Sequence, residues 1–371
     1  MVKHSSLFLF GPRQTGKTTY LKETFPQARY FNLLDQTLFR RLSAHPEDLR
    51  LILKPSDRMV IVDEVQKLPV LLDEIQNLMD SRKELRFILT GSSARKLMRG
   101  RANLLGGRAL MCRMHPLIFP EFQEHDLSRR LCYGSLPGIY LSEIPEELLD
   151  AYTGTYLREE IQAEGIARNI QSFSRFLEVA ALTNGQVVNF TKVGSDAQVP
   201  PRTVQSYYEV LSDTLVGTLL PPFRAGYSRK AVTTPKFFFF DIGVANALQG
   251  RFQIAPFTTE YGQALEHLVF LELQAYLDIH RLKSKLSYWR TYTSLEVDFI
   301  VGRSVAIEVK ATRRVKESDL TPLRALSADH DFKQRLMVSH DTMERVTTDG
   351  ITLLTVESFL HQLWSQQLEI K

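Results

Sequence analysis

Near the start of the chain, Gly11-Pro12-Arg13-Gln14-Thr15-Gly16-Lys17-Thr18 follows the apolar run Leu7-Phe8-Leu9-Phe10. This octet fits G-x-x-x-x-G-K-[ST] in full, with a strand expected before it and a helix from Thr19 after it. That context leaves little room for an inconsequential glycine turn. Gly11 and Gly16 let backbone N–H groups curl around phosphate oxygens, Lys17 reaches the β and γ oxygens, and the Thr18 hydroxyl is placed to ligate magnesium. The helix that Thr19 continues turns its N-terminal dipole toward the anion. The expected cofactors are therefore ATP and Mg2+.

A second motif stands where such a loop needs one. Met59-Val60-Ile61-Val62 is a continuous apolar run, as in a central parallel strand covered on both faces, and it ends in Asp63-Glu64. Asp63 is expected to hold the magnesium through water and Glu64 to polarise the attacking water. Taken alone, such a pair is more often the start of a solvated loop; behind a P-loop the functional reading prevails. A third strand, Arg86 to Thr90, runs into Gly91-Ser92-Ser93. Ser92 or Thr90 can meet the γ-phosphate or the lytic water, with a small polar turn as an equal alternative.

At 371 residues the chain exceeds one ordinary core, and a prior of roughly 150 residues per domain gives two or three. A composition 44% hydrophobic and 24% charged describes packed globular domains, and no apolar run is long enough to span a membrane. The N-terminus lacks the pattern of a signal peptide, so a cytoplasmic location and no membrane partner are expected. Cys112 and Cys132 are too few for a disulfide framework or structural zinc and read as buried, reduced thiols. A net charge of +4, from 46 basic and 42 acidic residues, permits nucleic-acid binding without arguing for it.

Further segments carry a resemblance: Val62-Asp63-Glu64-Val65-Gln66-Lys67, Leu89-Thr90-Gly91-Ser92-Ser93, Gly106-Gly107-Arg108, His115-Pro116-Leu117-Ile118-Phe119-Pro120-Glu121-Phe122 and Gly134-Ser135-Leu136-Pro137-Gly138. Together with the P-loop they resemble the prokaryotic AAA+ family ATPases with a DUF4143-type C-terminal region, along essentially the whole chain. The Walker motifs are shared by many ATPases; their combination with the proline-rich segments is more specific. The resemblance implies a homo-oligomer, a ring or hexamer, in which an arginine from a neighbouring subunit completes the site. Arg108 is the candidate and Arg101 the next, against the alternative of ordinary surface arginines. Relatives usually carry a helical segment before the first strand, whereas this sequence reaches the strand almost at once, which leaves the base-binding part of the pocket open.

The middle of the chain has the rhythm of a winged helix. Phe173, Phe176, Leu177, Ala180 and Ala181 mark one amphipathic helix, and Pro200-Pro201 opens another whose Val204, Tyr207, Tyr208 and Leu211 face inward. Arg202, Thr203, Gln205 and Ser206 would then face outward, as residue types that meet phosphates and base edges. Leu215 to Pro221, the basic Arg224 to Lys230, and Lys236 to Asp241 would form the wing and its return, with Phe237 to Phe240 as core strand. DNA contact competes here with a role as packing module or ATPase lid.

In the last third, Glu260 to Ile279 is expected to be helical and to carry Glu266, and Ser294 to Lys310 reads as a hairpin turning at Gly302-Arg303-Ser304. Pairing Val301 with Val305, Phe299 with Ile307 and Val297 with Val309 keeps the apolar residues on one face; a one-residue slip sets Val297 against Glu308. The preferred register places Asp298 opposite Glu308, with Glu296 and Lys310 beside them. Like charges facing across a strand pair are unfavourable, which points to a divalent cation such as Mg2+. The pattern resembles the PD-(D/E)xK nucleases, with Val297 at the position named for proline. That resemblance implies Asp298, Glu308 and the upstream Glu266 as metal ligands and Lys310 as the catalytic lysine. The bland alternative is a solvated hairpin in which Glu296 bridges to Lys310.

The expected fold class is thus α/β in three parts: an AAA+ P-loop core with a parallel sheet over 1–145, a helical linker and winged helix over 146–235, and a restriction-endonuclease-like domain over 236–371. The expected function is ATP binding and hydrolysis coupled to DNA. The competing reading is a nucleotide-controlled switch that binds a protein partner and carries an inactive nuclease-like domain.

Overall fold

The computed structural model describes residues 6–92, 97, 105, 108–156, 170–224 and 234–370. These gather into two compact units, Met1–Pro116 with Asp213–Val216, and Leu117–Ser212 with Gly217–Lys371. The segments holding Ser93, Arg101, Gly106, Gly107, Arg229 and Lys230 lie outside the described residues.

The first unit is built on five parallel strands: β1 (Ser6–Phe10), β2 (Arg29–Asn32), β3 (Met59–Asp63), β4 (Arg86–Gly91) and β5 (Ala109–Arg113), in the order β2-β3-β4-β1-β5. The apolar runs of the sequence become strands buried on both faces, and the two-residue period sorts their side chains. Phe8, Phe10, Val60, Val62, Phe87 and Leu89 share one cluster with Leu71, Leu72, Ile75 and Leu78 of the Leu71–Ser81 helix. Leu7, Leu9, Ile61 and Ile88 face the other way and meet Leu21 of the Lys17–Thr24 helix. Because β4 lies between β1 and β3, the P-loop and the end of β3 open at the same edge.

In the second unit, the helices Ile170–Leu182, Phe190–Ala197 and Pro201–Asp213 are followed by an antiparallel pair, β6 (Gly217–Leu220) and β7 (Lys236–Phe239). Helices and a strand pair thus occupy the stretch read as a helix-turn-helix with its wing return, with Gln198 turning the chain at φ 55° and Pro201 opening the third helix. Phe237 to Phe240 are core residues, at most 3% exposed. A mixed six-stranded sheet follows: β8 (Leu286–Arg290), β9 (Glu296–Val301), β10 (Val305–Lys310), β11 (Gln334–Ser339), β12 (Arg345–Val346) and β13 (Ile351–Thr355), in the order β12-β13-β11-β10-β9-β8. The Thr259–His280 helix, capped by the Thr258 side chain on Tyr261 N, packs Leu265, Leu268, Val269 and Leu273 in one core with Phe299, Val301, Val305, Ile307 and Val338.

The hairpin turns at Gly302, φ 59°, and pairs Val301–Val305, Ile300–Ala306 and Phe299–Ile307 as expected. Val297 departs from expectation. It pairs with Trp289 of β8 and packs with Phe223 and Trp289, whereas Val309 lies in the other cluster. The physical reason lies next door: the Val309 N–H is donated to the Asp298 carboxylate at 2.8 Å. Cys112 and Cys132 form no disulfide and are only partly buried, where buried thiols were expected.

Candidate functional site

In the first unit the P-loop is set by two backbone devices. Gly16 adopts φ 89°, open to glycine at no steric cost, and a Cβ at Gly11 would lie 2.5 Å from the Met114 carbonyl oxygen. The Lys17 ammonium donates to the Gly11 and Pro12 carbonyls at 2.8 Å each, so it lies against the loop that is to receive the phosphates. Thr18 and Thr19, both exposed, begin the helix behind it. At the end of β3, Asp63 accepts from the Thr18 hydroxyl at 3.0 Å and also from the hydroxyls of Thr90 and Tyr30. A hydroxyl and a carboxylate oxygen this close form a hard-oxygen pair suited to Mg2+.

Of the two residues proposed at the end of β4, Thr90 lies in the strand and meets the Walker-type aspartate, while Ser92 is buried at 6% exposure one residue beyond the strand. Arg108 lies exposed against Asp80 at 3.4 Å.

Two further residues at this site were not expected from the sequence. Tyr30 ends in a hydrogen bond to Asp63, and burial, then Asp63 itself, hold its phenol above the usual range. Gln66 is the other. Glu64 leaves β3 in the left-handed region at φ 61°, and its carboxylate accepts from Gln66 Nε2 at 2.5 Å. Gly91 makes room for this amide: a Cβ there would sit 2.2 Å from Gln66 Oε1. The Val-Asp-Glu-Val-Gln and Thr-Gly-Ser segments thus fit together as one packing unit.

The second unit holds a buried charge centre. Asp298 and Glu308 are 7% and 1% exposed; burial raises the carboxyl pKa of both, and for Glu308 the neighbouring Asp298 adds to it. Lys310 reaches Glu308 at 3.0 Å, and Glu308 Oε2 is buried with no hydrogen-bond partner. Glu266, on the long helix, Glu296 and Asp298 converge so that one oxygen from each lies within 4.8 Å of the others. The sequence-proposed Glu266, Asp298, Glu308 and Lys310 therefore belong to one neighbourhood. The expected Glu296–Lys310 bridge is replaced: Glu296 meets Lys236 and, at 3.2 Å, Arg290, because Lys236 enters from β7. Lys236, 1% exposed, also lies 2.8 Å from Glu266 and 3.8 Å from Asp298. Burial works against its charge, but Glu266, Asp298 and Glu296 together hold its pKa above the ordinary lysine value. Burial pushes Glu266 up to about 7. Hard carboxylate donors and the orphaned Glu308 oxygen are of the kind that take a divalent cation.

The proline-rich motifs do a different job. Buried Glu272 accepts from Phe119 N at 3.0 Å, from Trp364 Nε1 at 2.7 Å and from the Arg130 guanidinium, which fixes the Pro-Leu-Ile-Phe-Pro-Glu-Phe segment. Gly134, φ 75°, faces Asp241, which accepts from Ser135 N at 2.7 Å and caps the Ile242–Ala247 helix at Val244 N. On the Pro201–Asp213 helix, Arg202, Gln205 and Ser206 are exposed and Thr203 is partly so.

Fold and P-loop geometry define a P-loop nucleotide-binding protein. An AAA domain family model matches residues 3–123, a domain of unknown function (DUF8612) residues 124–254, and a domain of unknown function (DUF4143) residues 261–359. The chain carries an AAA domain, the type that binds nucleotide, and a DUF4143 C-terminal region. Its relatives include uncharacterized proteins of Mycobacterium bovis and Mycobacterium tuberculosis, each 26% identical over 321 residues, 82% of this chain and 70% of theirs. Another, from Methanocaldococcus jannaschii, is 24% identical over 386 residues, 92% of this chain and 84% of its own. No helix of the described residues is long and apolar enough to cross a membrane.

Proposed function

We propose that this ATPase hydrolyses ATP with Mg2+ in the cytoplasm and couples the cycle to DNA, which it contacts through the helix-turn-helix and a C-terminal nuclease-like centre. The observation that carries the DNA reading is the group Asp298, Glu308 and Lys310, with a buried Glu308 oxygen left without a partner.

At the P-loop, backbone N–H groups and Lys17 bind the phosphates, Thr18 and Asp63 hold the ion, and Glu64, steadied by Gln66, takes the proton of the attacking water. Mg2+ held by Thr18 and Asp63 would supply charge neutralisation at the phosphates. Arg108 is exposed, as a residue reaching a neighbouring subunit of a homo-oligomer must be. At the second centre, Asp298 and Glu308 would ligate Mg2+, which supplies Lewis-acid polarisation of the scissile phosphate. Lys310, next to Glu308, would orient the attacking water.

Incubation of linear and branched DNA with Mg2+ tests the cutting step. Wild type is expected to cleave at least one of these, and Lys310→Ala to lose that cleavage by about 10^2-fold or more. Equal inertness of both proteins contradicts it.

One observation favours a nucleotide-controlled switch that binds a protein partner: Lys236 already neutralises Glu266 and Glu296, so part of the charge cluster stands without metal. Hydrolysis indifferent to DNA, together with a stable protein partner, would support that reading.

A further inference from the structure

The carboxylate centre has more acidic groups than one divalent ion needs. Glu266, Glu296, Asp298 and Glu308 meet there. Their present partners divide them. Glu266 and Glu296 are both taken by the Lys236 ammonium, and Glu296 also by Arg290. Asp298 and Glu308 are left with Lys310, which touches Glu308, and with Lys236 at the longer distance of 3.8 Å from Asp298.

The position of Lys236 is fixed by its backbone. It ends the β6–β7 pairing opposite Leu220, forms a bridge to Val187 on its other side, and is preceded by Pro235, whose carbonyl accepts Val188 N at 2.9 Å. Its side chain packs near the Tyr288 ring, 5.4 Å from the ring centre, and its nitrogen ends among three carboxylates. A cavity of about 320 Å³ lined by Asn184, Gln186, Gln263, Glu266 and Glu296 adjoins that nitrogen. An ion approaching Glu266 and Glu296 from this cavity meets a positive charge already in place.

We propose that Lys236 is a resident cation at the position a second metal would take, so that the C-terminal centre holds one divalent ion, on Asp298 and Glu308, and not two. The proposal rests on the nuclease-like reading of this centre. Lys236 is a positioning residue: its ammonium holds Glu266 and Glu296 away from metal duty. Since it lies on the wing return strand, it also ties the charge centre to the hairpin beside the helix-turn-helix.

The test counts Mn2+ bound to the full chain, without nucleotide, by loss of the free-ion electron paramagnetic resonance signal. The C-terminal share is the number of ions lost in the Asp298→Asn/Glu308→Gln double variant. One ion is expected for wild type, unchanged in Glu296→Gln and in Lys236→Arg; a second ion is expected in Lys236→Gln. Two C-terminal ions in wild type, an ion lost in Glu296→Gln, or a folded Lys236→Gln still holding one would overturn the proposal and leave the nuclease-like reading standing. No C-terminal ion in wild type would overturn both. If Lys236→Gln does not fold, the wild-type count and Glu296→Gln decide.

Discussion

Glu64 stands at the end of β3 in left-handed backbone, a conformation that costs a non-glycine residue about 1 kcal/mol or more and is retained where the surroundings fix it. Gln66 steadies its side chain here: the amide holds the carboxylate proposed to take a proton from water. Glu64→Gln is expected to keep ATP binding and lower turnover by about 10^2- to 10^4-fold, the range for loss of a general base. Gln66→Ala is expected to lower kcat with little change in KM, because it frees the carboxylate without touching the phosphates. Steady-state kinetics check both, and a Gln66→Ala enzyme with raised KM and unaltered kcat contradicts the positioning role. The place of Glu64 was legible in the sequence because the acidic pair follows a strand directly. Gln66 was not, since its role depends on the space left by Gly91 on another strand. Lys236 was hidden for the same reason: four phenylalanines follow it, which mark a core strand, while its partners lie on other elements.

His267 gives a second test among single residues. Its Nε2–H donates to the Phe239 carbonyl at 2.6 Å, and Nδ1 accepts from the Asn184 amide, whose oxygen in turn takes Phe239 N. Burial lowers its pKa to about 4, since a proton on Nδ1 would also remove an acceptor. The folded value lies below the unfolded 6.5, so its contribution is complete above 6.5 and is lost as pH falls toward 4. The loss amounts to about 3 kcal/mol at 1.4 kcal/mol per pH unit. NMR of the ring should show no titration down to about pH 5; a midpoint near 6.5 contradicts the network.

At the scale of elements, the motifs that first marked the family serve as fasteners. Glu272 gathers the start of the proline-rich segment, the Leu127–Tyr133 helix and the Val356–Trp364 helix through Phe119 N, Arg130 and Trp364. Both members of the Arg130–Glu272 pair are at most 4% exposed in their side chains, and removing one partner of a buried pair leaves an uncompensated charge. Glu272→Ala should therefore destabilise the fold by about 3–5 kcal/mol, read by denaturant unfolding; a loss below 1 kcal/mol contradicts the assignment. Strands and helices were largely legible, because the two-residue period of the hairpin and the helical stripe at Phe173 to Ala181 are local signals. The pairing of Val297 was not. It depends on the Asp298 side chain taking a backbone N–H of the neighbouring strand, which no periodicity announces.

For the whole molecule, the AAA domain supplies nucleotide binding, and the exposed Arg202 and Gln205 and the buried carboxylate centre are the groups proposed to meet DNA. Coupling of the two is the central claim. Both candidate sites were proposed from spacing alone, whereas coupling between them has no sequence signature. ATP turnover by the full chain, measured with Mg2+ alone and with linear, single-stranded or branched DNA added, tests it most directly. At least one DNA form should raise kcat several-fold, with the stimulation falling as salt rises because phosphate contacts are screened. Turnover unchanged by every DNA form would contradict DNA coupling and leave an ATPase that answers to another partner.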